Sequence, residues 1–146
     1  MVFFIKKLIK YIFLRYKFHG KVKYDFSSDI NINSFFEGMN RIYPKARFGG
    51  YLGYGSYIGY RADFAGKIGR FSSIAPKVSS NTGTHPLKAP FATTSPAFFS
   101  LRKQNGCTFV KKQYFNETRY ADSEKKYAVV IGNDCWIGQN AFISGG

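Results

Sequence analysis

Acids are scarce in this chain. Eight Asp and Glu stand against 22 Lys and Arg, none of the eight precedes Asp25, and the formal net charge is +14. Such a balance suits an anionic partner, whether a phosphorylated ligand, a membrane surface or nucleic acid, without choosing among them. No nucleic-acid-binding module is recognisable, so the reading is that nucleic acid is not the partner. Cysteine occurs only as Cys107 and Cys135. Two residues make no disulfide framework or metal-ligand set, so no metal is expected and a reducing cytoplasm fits best. Histidine is limited to His19 and His85, and tryptophan to Trp136. The apolar runs are too short and too interrupted by charge to span a bilayer. Aromatics nevertheless reach 19%, which excludes a disordered composition, and 146 residues suffice for one domain with a core.

Seven of the cations fall in residues 1 to 23, "MVFFIKKLIKYIFLRYKFHGKVK". Ile5, Leu8, Ile9 and Ile12 recur at helical spacing with Lys6, Lys7 and Lys10 between them, which predicts a basic amphipathic helix over 1–23. No small-residue cleavage site follows, so it does not read as a signal peptide. Two roles remain open. The helix packs on its own domain or an oligomer of it, or it lies in a membrane interface, giving a peripheral membrane contact.

Residues 24–146 carry a different period. In "VVIGNDCWIGQNAFISGG", Ile131, Ile137 and Ile143 stand six apart, and glycine follows the first two. The same ruler picks out Phe36, Ile42 and Phe48, then Leu52, Ile58 and Phe64, then Ile68, Ile74 and Ser80. Successive sets are joined by a step of four, so the unit is six, six and four. A small or modest residue stands four positions after many of these, as at Ser56, Ala62, Ser72, Val78, Cys135 and Ala141. Short segments that each give one inward apolar residue and then a corner predict a parallel β-helix, with Gly, Asn and Asp supplying the corner backbone angles. Stacking of coils then supplies the core. An antiparallel sandwich would not keep a six-residue register over so many segments. The register is lost over 81–128, a long loop of the kind that in a compact domain is usually functional or disordered.

"IGRFSSIAPKV" and "VVIGNDCWIGQNA", with "GTHPLKAPFATTSPAFFS" between them, resemble segments of the hexapeptide-repeat acyltransferases. The similarity is to the branch of maltose-type, xenobiotic and capsule or O-antigen O-acetyltransferases, and covers roughly residues 30 to 146. It implies a left-handed parallel β-helix, a homotrimer with active sites between adjacent subunits, and acetyl-coenzyme A as donor co-substrate. The acceptor it implies is a sugar or glycan hydroxyl in surface-polysaccharide biosynthesis, because "TTSPAFFS" resembles the polysaccharide-modifying members. A xenobiotic acetyltransferase and an inactive β-helix remnant are the alternatives. In the family the register continues for two or more coils and a cap that form much of the coenzyme A groove. Here it reaches Gly145-Gly146, so the expectation is a C-terminally shortened member or one completed by another chain.

The resemblance assigns His85 as catalytic base. Taking a proton from an attacking hydroxyl suits an imidazole, whose ordinary pKa of about 6.5 lies near working pH. Read without the resemblance, His85 is an exposed loop histidine. Trp136 and Gly138 match the segment near the pantetheine arm, with a buried corner aromatic and a plain corner glycine as the alternatives. Asn81 is a candidate to orient the histidine or the substrate.

Overall fold

The computed structural model describes residues 2–146. Helix α1 (Val2–Lys17) comes first, then β1 (Val22–Tyr24), β2 (Asp29–Ile30), β3 (Phe35–Phe36), β4 (Asn40–Ile42), β5 (Arg47–Leu52) and β6 (Tyr57–Ile58). Next are β7 (Asp63–Ile68), β8 (Ser73–Ile74) and β9 (Ser79–Asn81). After a long loop the chain finishes with β10 (Val130–Ile131), β11 (Trp136–Ile137) and β12 (Phe142–Ser144). Every ladder between these strands is parallel. One face stacks β1, β4, β6, β8 and β11, and a second stacks β2, β5, β7, β9 and β12. The third face is formed where β3 lies on the far half of β5, and β10 on the far half of β7. The chain is a parallel β-helix.

The register explains the step of four. Phe48 and Leu52 lie on one strand, β5, which runs continuously across two faces and bends at Gly50; β7 repeats this with Phe64, Gly66 and Ile68. A corner is thereby drawn in, and the two glycines pack so closely that a Cβ on Gly50 would sit 2.0 Å from the Gly66 carbonyl oxygen. Phe36, Ile42, Phe48, Leu52, Ile58, Phe64, Ile68, Ile74 and Ile131 are buried in one core, with Ile137 partly buried against it. Ile30 also belongs to that core and Tyr24 packs on it. Both stand six residues back from their successors, so the register begins before Phe36, with a first coil that lacks the short step.

Corner chemistry differs in part from the sequence expectation. Gly38, Gly50, Gly55, Gly66, Asp134 and Asn140 conform, but five positive-φ positions of the coils are held by Met39, Lys45, Arg61, Phe71 and Lys77. Each such backbone costs about 1–2 kcal/mol. Stacking offsets it, because the N–H groups of Gly55, Arg61, Phe71 and Lys77 donate to Gly38, Pro44, Tyr54 and Tyr60 of the preceding coil. Glycine is needed instead where coils approach: a Cβ on Gly53 would lie 2.5 Å from the Gly69 carbonyl carbon. The interior of one corner is polar, and satisfied. Asn40 Nδ2 donates to the Gly53 and Ser56 carbonyls, and the Ser56 and Ser72 hydroxyls donate to the carbonyls of Gly69 and Gly132.

Helix α1 is shorter than the expected 1–23. It ends at Lys17; a turn follows in which Gly20 has φ +72°, the left-handed geometry that terminates helices, and Val22 already belongs to a strand. Leu14 and Phe18 are buried in the solenoid core, and the Phe18 ring meets Phe36 edge-on at 4.9 Å. The helix thus covers the N-terminal end of the stack, where unpaired strand edges would otherwise meet water.

Candidate active site

The loop leaves the solenoid at the corner that β5 and β7 cross without a break. In the next coil the second face ends with β9 at Asn81, and the third resumes with β10. Where it returns, Val129 crosses directly over Gly66: a Cβ there would lie 2.4 Å from the Val129 carbonyl oxygen. The two limbs are tied by an antiparallel bridge between Gly83 and Thr118, and by Thr84 N–H donating to the Glu117 carbonyl at 2.8 Å. These contacts place the backbone immediately before His85.

The loop has a small core of its own. Phe99 is 1% exposed and meets Phe91 and Phe115 edge-on at 6.2 and 5.6 Å. Ala97, Ser100 and Glu117 are buried beside it. The Glu117 carboxylate accepts from Gln104 Nε2 at 2.6 Å and Gln113 Nε2 at 2.7 Å. Burial acts to raise its pKa, but hydrogen bonds from Ser100, Gln113 and Gln104 and the charge of Arg102 outweigh it and hold the group below the ordinary carboxylate value. A satisfied buried charge of this kind fixes the surrounding loop, because losing a partner would leave it uncompensated.

His85 stands on this platform. Its ring meets Phe99 edge-on at 5.8 Å, and Nδ1 lies 2.7 Å from the Thr94 carbonyl oxygen. A carbonyl only accepts, so in the neutral ring Nδ1 carries the hydrogen and Nε2 keeps the lone pair. The sequence "TTSP" produces this geometry. Ser95 N–H donates to the Thr93 hydroxyl, and Pro96–Phe98 forms a 3-10 turn that brings Phe99 beneath the imidazole. Pro86, which biases His85 toward an extended backbone, is buried. His85 itself is exposed.

None of the other candidates bonds to the imidazole. Asn81, at the end of β9, accepts Gly83 N–H on its Oδ1 at 3.0 Å, so its side chain closes the turn that starts the loop rather than bonding to the imidazole. Trp136 projects from the first face and is 80% exposed, which removes the buried-corner alternative. Gly138 is not a left-handed corner, since that position is taken by Asn140, and a Cβ on it would meet nothing within 4 Å. Asn81 and His85 therefore share the start of the loop, whereas Trp136 and Gly138 belong to the last coil's first face. Two grooves of about 420 Å³ each lie under and beside α1, remote from His85 in the fold and lined in part by Phe18 and Tyr24.

Sequence reasoning missed the partners that shape His85, Thr94 and Phe99. A backbone carbonyl leaves no side-chain signature, and Phe99 is one aromatic among several in the loop. It also missed Glu37, which binds Arg70 Nε at 2.7 Å, accepts Tyr54 N–H at 2.9 Å and bonds the Tyr51 hydroxyl. The Arg70 hydrogen bond first, then those from Tyr51 and Tyr54, lower the Glu37 pKa to about 2. This cluster fastens three successive coils. Set against family models, curated proteins and solved structures, the chain finds no match in any of the three.

Proposed function

We propose that the chain is an O-acetyltransferase that moves an acetyl group from acetyl-coenzyme A to a sugar hydroxyl by direct transfer, with His85 as general base. The observation that carries this reading is the imidazole's Nδ1 bond to the Thr94 carbonyl, which orients the ring and leaves Nε2 with its lone pair. Nε2 takes the hydroxyl proton while the acceptor oxygen bonds to the acyl carbon; the carbon–sulfur bond breaks, and the imidazolium returns the proton to the departing thiolate. A thioester is already activated, so no covalent enzyme intermediate is required. Trp136 offers an exposed ring for the pantetheine arm, and Gly138 leaves open space beside it. These two stand on a different face from His85, which accords with a homotrimer in which one subunit supplies the base and its neighbour the donor surface. The sugar acceptor and a role in surface polysaccharide rest on the resemblance, and a cytoplasmic setting on the two cysteines' lack of a disulfide framework.

A second reading, a β-helix that binds without turnover, is favoured by one observation: His85 lies on open surface within a single chain. Isothermal titration with acetyl-coenzyme A, followed by thiol-release assays with a panel of glycan acceptors and antibiotic hydroxyls, separates the readings. Binding with turnover that His85→Ala abolishes supports the proposal, and the acceptor used distinguishes glycan from xenobiotic chemistry. Donor binding without turnover on any acceptor favours the second reading.

A further inference from the structure

Helix α1 is turned the opposite way from a helix whose apolar stripe caps a core. Its solenoid side carries Lys7, Tyr11 and Leu14, with Phe18 just beyond its end, at spacings of three and four. Of these Leu14 and Phe18 are buried; Lys7 lies over the Phe26 ring at 5.0 Å and Tyr11 meets Tyr24 and Phe26 edge-on. The opposite side carries Ile5, Leu8, Ile9, Ile12, Phe13 and Tyr16, which are 39 to 86% exposed. An apolar stripe of this width on one helix is larger than scattered surface residues and marks an interaction surface.

Charge indicates the partner. Projected at 100° per residue, Lys6 borders one side of the stripe and Arg15 the other. Neither has an acidic partner among the described residues, and α1 contains no acid of its own. Two copies of α1 packed face to face would bring these cations together with nothing to pair them. A bilayer bearing anionic headgroups accepts both features, because the aliphatic side chains enter the acyl boundary while the rim meets phosphates. Among the described residues no helix is long and apolar enough to cross a membrane, so the contact is interfacial.

We propose that the outer face of α1 docks the protein in the plane of an anionic lipid bilayer, through Ile5, Leu8, Ile9, Ile12, Phe13 and Tyr16 with Lys6 and Arg15 at the rim. This docking does not depend on the acetyltransferase reading. The test is flotation of the full chain with vesicles of phosphatidylcholine alone, and of phosphatidylcholine mixed with phosphatidylglycerol. The protein should float with the mixed vesicles and far less with the neutral ones. Ile9→Asp/Ile12→Asp should abolish flotation, and because both side chains already face solvent, far-UV circular dichroism should be unchanged. Lys6→Gln/Arg15→Gln should weaken partitioning by about fivefold for each cation removed. The proposal is overturned by absence of flotation with mixed vesicles, by equal flotation on both vesicle types, or by flotation that the double-Asp variant retains. A dimer in sedimentation that this variant dissociates, without any lipid binding, would assign the stripe to a second copy instead.

Discussion

In the coils, Ile42, Ile58 and Ile74 lie one above another with the same interval between each pair, whereas in the loop Phe99 reaches Phe91 and Phe115 across unequal ones. The coils hold their shape by repetition: each strand is paired along the stack, each inward residue is covered by the next coil, and corner N–H groups bond to the coil before. The loop holds its shape by particular contacts, a cluster of three phenylalanines and a buried carboxylate supplied by two glutamines. Repetition distributes stability over many equivalent contacts. Particular contacts concentrate it, and they are what a chemical group such as His85 needs to be held at a fixed angle.

The largest effect expected separates chemistry from stability. On the proposed function, His85→Ala should lower turnover by roughly 10²–10⁴-fold while leaving the urea unfolding midpoint in place, because the residue is exposed. Near-normal turnover in that variant would end the assignment. Next come two core truncations, one in each region. Ile58→Ala, at the centre of the stack and fully buried, should cost about 2–5 kcal/mol in global unfolding. Phe99→Ala should instead speed hydrogen exchange at Phe109 and Tyr114, whose N–H groups bond to Ala97 and Phe99 carbonyls, and leave amides of β5 and β7 protected. If both variants shift exchange everywhere, the loop is part of one cooperative unit with the coils and the contrast fails.

A smaller effect divides two glycines that look alike in sequence. Gly53→Ala forces a Cβ against Gly69 backbone at 2.5 Å and should cost about 1–3 kcal/mol. Gly138→Ala meets open space and should stay within about 0.5 kcal/mol; equal losses at both sites would refute the close-approach account. The smallest effect is electrostatic. Glu37 in the folded chain titrates at about 2, below its ordinary 4.5. Its contribution is therefore complete above pH 4.5 and is lost as pH falls toward 2. Urea midpoints across that window should fall less steeply in Glu37→Gln than in the parent chain. Identical slopes would show that the cluster with Arg70 and Tyr51 does not link the coils energetically.

The solenoid was legible in the sequence because a coil repeats its environment. One inward position per face recurs at six, six and four residues, so Phe36 through Ile74 could be assigned to a common core without knowing any contact. Ile131 and Ile137 rejoin that core across the loop, and their pairing with Ile68 and Ile74 follows from the same register. Gly, Asn and Asp hold only part of the corners, since intrinsic preference for the left-handed backbone is a weak force beside hydrogen bonds from coil to coil. Lys45, Arg61 and Lys77 occupy such corners with no preference of their own for them.

By itself, then, the sequence determined the period, the inward residues, the place where the register breaks and the one histidine within that break. Periodicity is a property of neighbours along the chain, and it survives without coordinates. Only the tertiary structure decided that Thr94 turns its carbonyl to His85, that Phe99 lies beneath the ring, and that Trp136 projects outward. It alone decided, too, which side of α1 meets the solenoid. The sequence left open whether the stripe of Ile5, Leu8, Ile9 and Ile12 packs on the domain, on an oligomer or at a membrane interface; Leu14 and Phe18 reach the core instead, and rigid helical geometry then turns that stripe away from it. Such choices depend on which partners a folded chain brings within reach, and no local pattern encodes them.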